Sequence, residues 1–155
     1  MEVQRFTYTA DKETPFVQEY FALVKENFVN IPWIKSIENF HPEVFLLVQE
    51  GVLVGGVAFF DRYPEESDVV EFKNENLKDT NIFISTLFIK EDSRSQGLGE
   101  KLLKNVFDTF SDKYDCAWGI VENNAVSLID YYKRNYEVSL YKFDDSISLI
   151  VFKTK

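Results

Sequence analysis

The chain has 155 residues, a formal net charge of −9 and a single cysteine, Cys116. That length suits one domain, spanning 1–155, and one thiol excludes an intrachain disulfide or a cysteine-built metal site. The acidic balance opposes nucleic-acid phosphates and favours a neutral or cationic partner.

Residues 3–9 alternate and predict a first strand. Asp11 and Thr14 offer N-cap chemistry ahead of Pro15, and Phe16, Val17, Tyr20, Phe21, Val24 and Phe28 recur at helical spacing over 15–29. Asn30–Trp33 breaks that helix, and a short helical turn is expected near 34–40. Two apolar runs between Val44 and Phe60 flank Glu50-Gly51, which reads as a tight hairpin. Residues 61–80 hold seven acids (Asp61, Glu65, Glu66, Asp68, Glu71, Glu75, Asp79) and read as a surface loop, with Val69–Phe72 able to extend a strand. Residues 82–89 predict a continuous strand. A glycine loop follows, then an amphipathic helix marked by Leu102, Leu103, Val106, Phe107 and Phe110. Cys116–Val121 reads as a buried strand, Val126–Tyr132 as a helix ending near Asn135, and 136–142 and 147–153 as strands joined by Asp144-Asp145-Ser146. The order β-α-β-β-β-α-β-α-β-β predicts an α/β (α+β) fold, a mixed sheet with helices on its faces.

The opening residues lack a basic region followed by an apolar run, and no apolar stretch has bilayer length. The expectation is a cytoplasmic protein without signal peptide or membrane contact.

The segment Leu87–Leu103 runs from strand through a polar turn and two glycines into a helix. A helix N-terminus carries unpaired N–H groups and partial positive charge, and glycine lets backbone approach a ligand closely, so the segment suits a phosphate. It lacks the Walker A spacing, and the third glycine of a dinucleotide fingerprint is replaced by Leu102.

Arg94-Ser95-Gln96-Gly97-Leu98-Gly99 resembles the acetyl-CoA motif Gln/Arg-x-x-Gly-x-Gly/Ala of the GNAT acetyltransferase superfamily, and Leu87-Phe88-Ile89 is similar to that family's preceding strand end. A second stretch, Asn124 followed by Tyr131 and then Asn135-Tyr136, is similar to the family's Asn, Tyr and Gly-aromatic pattern. Asn135 replaces the usual glycine, and a left-handed cap at Asn135 would preserve the geometry. Glu91 stands where many members have Pro. The resemblance covers about 82–136 and implies a GNAT fold. It implies that Arg94–Glu100 hold the CoA pyrophosphate, that Leu87, Phe88 and Ile89 bind the pantetheine arm and acetyl carbonyl, and that Asn124 and Tyr131 contact CoA.

Acyl transfer to an amine needs a deprotonated amine, a polarised carbonyl and a proton for the departing thiolate. Tyr131 suits the last role, since a phenol with a pKa of about 10 stays protonated at neutral pH. Glu122, at the end of a predicted strand, is a candidate base beside Glu71 and a water chain. Trp33 is a candidate for lining the acceptor pocket, and Glu71 for binding the acceptor. His41 reads as a loop residue, and Cys116 and Trp118 as core.

The implied function is acetyl transfer from acetyl-CoA, without a metal, to an amine of a small molecule or peptide. A catalytically silent CoA-binding module and an unrelated nucleotide-binding domain are the alternatives. The apolar strands 136–153 would allow a homodimer.

Overall fold

A computed structural model describes residues 2–77 and 80–154. The chain divides into two units, Met1–Phe60 with Ser85–Val106, and Asp61–Ile84 with Phe107–Lys155.

In the first unit, β1 (Glu2–Thr7) pairs antiparallel with β2 (Glu43–Gln49), and β2 with β3 (Val52–Phe60). Strand β1 ends short of the expected 3–9. The Asp11 carboxylate accepts the Thr7 N–H at 2.9 Å, and a short helix α1 (Tyr8–Asp11) begins there. Asp11 therefore serves α1, while Thr14 takes the N-cap position of α2 (Pro15–Asn27) without a side-chain cap bond. The hairpin forms as expected: Glu50 and Gly51 have φ of 52° and 78°, and Gln49 pairs with Val52. Two central residues of positive φ match the right-handed twist of the strands they join.

Helix α2 buries Val17, Tyr20, Phe21 and Val24. A 3₁₀ segment over Pro32–Phe40 adds Trp33, Ile34 and Ile37 to the core and ends on left-handed His41. Each such buried side chain contributes about 1.5–3 kcal/mol by leaving water.

In the second unit the strand order is β4 (Asn81–Ile84), β6 (Cys116–Glu122), β8 (Ile147–Lys153), β7 (Val138–Lys142). Strands β4 and β6 run parallel, while β6–β8 and β7–β8 are antiparallel. The sheet is therefore mixed and the fold α/β, as the sequence predicts. Trp118 is fully buried, with Phe83 at 4.7 Å and Tyr63 stacked at 5.9 Å between ring centroids. Cys116 is buried and in no disulfide.

Three expectations are corrected. The strand expected over 82–89 is broken: β4 stops at Ile84 and β5 is only Phe88–Ile89, paired antiparallel with β3 at Gly55 and Gly56. At the break the Ser85 N–H bonds the Ala58 carbonyl at 2.9 Å. Next, the acidic stretch is not all loop, and Val69–Phe72 does not extend a strand. It lies in helix α3 (Asp68–Asn76), where Val70 and Glu71 donate to the Ser67 carbonyl. Asp68 and Glu71 in the first turn and Lys73 in the last complement the helix dipole. Lys78 and Asp79 lie outside the described residues. Last, Asn135 is not left-handed. It is the final residue of α5 (Val126–Asn135), and its Nδ2 donates to the Tyr131 carbonyl at 2.8 Å. The side chain thus satisfies a terminal carbonyl that a left-handed cap would otherwise have served.

Among the described residues no helix is long and apolar enough to cross a membrane.

Candidate active site

In the first unit the glycine motif is built outward from β5. A side chain at Gly55 would put its Cβ 2.5 Å from the Phe88 carbonyl oxygen, so the absence of a side chain there lets β5 lie against β3. Lys90 N–H bonds the Val54 carbonyl at 2.9 Å, so Lys90 and Phe88 face β3. Strand alternation then turns the N–H and C=O of Leu87 and Ile89 to the other edge. The Ile89 carbonyl is met there by Arg94 Nε at 2.8 Å, and the Arg94 guanidinium lies over the Phe88 ring at 5.7 Å. Arg94 is thus spent partly on bracing the loop's own backbone.

A single 3₁₀ turn, Glu91–Ser93, leads into residues 94–97, all exposed. Ser95 and Gly97 have φ of 66° and 72°. A Cβ on Gly97 would meet nothing within 4 Å, so glycine is favoured there by its φ and not by crowding. The Gly97 carbonyl accepts from Lys101 N–H at 3.1 Å, which opens α4 (Leu98–Phe110). Leu98, Leu102, Leu103 and Val106 are buried and seat that helix, while Glu100 is exposed. A Cβ at Gly99 would stand 3.6 Å from Leu87 Cδ2, an ordinary contact. A helix start behind an open, left-handed glycine fits a ligand phosphate.

In the second unit β6 ends on exposed Glu122, and Asn124 is exposed in the turn before α5. Tyr131 is half-buried on α5, with its ring 5.8 Å from Tyr132. Tyr132 packs edge-on against Phe152 at 5.2 Å. Burial, then the neighbouring Tyr131, pushes the Tyr132 phenol up to about 12. Both tyrosines are half-buried, and the Tyr132 ring also packs against Tyr136 and Phe152.

Glu71 is exposed in the first turn of α3. Lys73 on the same helix lies over the Trp118 ring at 5.8 Å, and burial lowers its ammonium's pKa while Cys116 opposes the shift. Trp33 is buried edge-on to Phe40 and Phe60, so its ring is committed to packing in the first unit. No group of three or more His, Cys, Asp or Glu suited to a metal occurs among the described residues.

Sequence reasoning missed two polar ties. Tyr20, on the apolar face of α2, bonds Thr86 through both its carbonyl and its Oγ1, the latter at 2.8 Å. Asn123 joins the end of β6 to the β7–β8 turn: its Nδ2 donates to the Asp144 carbonyl at 2.7 Å and Ser148 Oγ donates to its Oδ1. The Gly55-Gly56 pair inside an apolar run was the available signal for close approach near the first tie.

The profile of the Acetyltransferase (GNAT) family matches residues 5–136. No curated protein matches the chain in sequence. Among solved structures, a GNAT family acetyltransferase from Elizabethkingia anophelis with acetyl-CoA bound is similar at 15% identity, with 97% of each chain covered and a TM-score of 0.60. ElaA from Escherichia coli is similar at 13% identity, covering 98% of this chain and 99% of its own, with a TM-score of 0.64. The structure of yncA from Salmonella typhimurium with its cofactor acetyl-CoA is similar at 14% identity, covering 100% of this chain and 95% of its own, with a TM-score of 0.57. With most of its length matched by one family profile, the chain belongs to the acetyltransferase (GNAT) family.

Proposed function

We propose that the chain is an acetyl-CoA-dependent N-acetyltransferase that moves an acetyl group to the amine of a small molecule or peptide, with residues 1–155 acting as one catalytic domain. The observation that carries this reading is Gly97, left-handed and open at the start of α4. The acetyl-CoA bound in the Elizabethkingia and Salmonella relatives supports the choice of ligand.

When bound, acetyl-CoA would supply an activated thioester. The backbone of Arg94–Glu100 would hold its pyrophosphate. Leu87 and Ile89, whose amides face away from β3, would bind the pantetheine arm and polarise the acetyl carbonyl, with Phe88 between them. Asn124 would add a polar contact to CoA. Tyr131 Oη would hold the proton destined for the thiolate, and Glu122 would accept one from the amine, directly or through water. Glu71 would draw a cationic acceptor.

Calorimetric titration of acetyl-CoA into wild type and Gly97→Trp tests this, beside a thiol-release assay over a panel of amines. We expect micromolar binding that weakens about 100-fold or more in the variant, and thiol release with at least one amine. Binding without turnover on any amine would point to a silent CoA-binding module. No binding to wild type would remove the acetyl-CoA reading.

A further inference from the structure

We infer that Tyr20 is a positioning residue that aims the Leu87 amide, by fixing the peptide between Thr86 and Leu87. This deepens the acetyltransferase reading, on which the catalytic part of the inference rests.

The strand break between β4 and β5 leaves ladder groups to be satisfied. In a continuous ladder the Ala58 N–H and the Thr86 carbonyl would each find backbone partners across the sheet. Here the Tyr20 hydroxyl stands between them. It donates to the Thr86 carbonyl, accepts from Thr86 Oγ1 at 2.8 Å, and is bonded by the Ala58 backbone. Tyr20 and Thr86 are both buried, at 0% and 1% exposure, so water does not compete for these bonds. Burial also raises the Tyr20 phenol, which keeps it a donor across any working pH.

The approach of the ring is built into β3. A Cβ on Gly56 would lie 2.9 Å from two Tyr20 ring carbons and 2.6 Å from Leu46 Cδ2. Glycine at that position is what admits the ring. One turn of α2 reinforces the contact, since Glu19 meets Lys90 Nζ at 3.1 Å just beyond β5.

The consequence follows from the planar trans peptide, in which C=O and N–H point in opposite directions. Drawing the Thr86 carbonyl toward Tyr20 turns the Leu87 N–H the other way, to the edge of β5 facing away from β3. That is the amide proposed to polarise the acetyl carbonyl. A donor aimed at a developing charge acts only while its direction is held.

The test compares wild type, Tyr20→Phe and Val17→Ala. The last is a packing control, fully buried on the same helix. In ¹⁵N-leucine spectra of the protein without acetyl-CoA, Tyr20→Phe should move the Leu87 amide while leaving that of Leu149 in place. Val17→Ala should leave Leu87 unmoved. In turnover, Tyr20→Phe should lower kcat about tenfold with KM for acetyl-CoA within about twofold. Val17→Ala should keep kcat while lowering the melting temperature at least as much. An unmoved Leu87 amide in Tyr20→Phe, or a kcat that falls equally in both variants, would overturn the inference. The spectra judge the peptide's orientation even if wild type proves inactive, so failure of the enzyme reading is separately visible.

Discussion

In the proposed reaction Tyr131 holds a proton while its neighbour Tyr132 only packs, two roles that a mutational scan could confuse. Tyr131→Phe should lower kcat about 100-fold or more and leave the melting temperature nearly unchanged, as loss of a proton donor does. Tyr132→Phe should leave turnover near wild type and show itself in alkali. Folding raises that phenol from about 10 to about 12, so the unfolded chain releases the proton first. The stabilisation is complete below pH of about 10 and is lost as pH rises through about 12, with a ceiling of about 3 kcal/mol. Thermal melts from pH 8 to 12 should therefore fall less steeply in Tyr132→Phe than in wild type, and equal slopes would contradict the assignment. Some of this site is legible in the residues alone. Gly97, Asn124 and Tyr131 are picked out there by their match to the family's motifs, and their roles remain part of the proposal. Tyr20 is not, because its partner lies 66 positions away and its place on an apolar helix stripe reads as packing.

At the scale of elements, the β6–α5 turn depends on a neighbouring hairpin. Asp144 Oδ1 accepts from Ser146 N–H at 2.7 Å and Ile147 N–H at 2.9 Å, which shapes the β7–β8 turn. Asn123 then fastens that turn to the end of β6, also donating its own N–H to the Ser146 carbonyl at 2.9 Å. Asn123→Ala would remove a bond from buried Ser148, at about 1–3 kcal/mol. We expect the melting temperature to drop by roughly 2–10 °C, with faster amide exchange confined to 144–148. An unchanged melting temperature would show that the fastening is idle. The hairpin at Glu50-Gly51 and the helices α2 and α4 are legible from turn chemistry and periodicity. The β4–β5 break is not, since Ser85 and Thr86 are residues a strand also accepts, and the groups that meet them, the Ala58 carbonyl and the Tyr20 hydroxyl, lie far away in sequence. Helix α3 is hidden for another reason: none of its residues is fully buried, so no apolar period marks it.

For the whole molecule, the net charge of −9 and the exposed acids of α3 predict electrostatic attraction of a cationic acceptor. Once an acceptor is found, kcat/KM for a doubly charged amine should fall about three- to tenfold between roughly 20 and 200 mM salt, and stay level for a neutral analogue. Equal salt responses would make the acids a plain solvated face. The order of strands in the second unit bears on how its sheet is completed. Strand β8 lies between β6 and β7 yet follows both in sequence. Before 147–153 is inserted, β6 and β7 each lack a partner on the edge that β8 will occupy. Until that moment those edges are open to other chains. A chain lacking β8 would therefore present one unpaired edge on each of β6 and β7, and would be primed to aggregate.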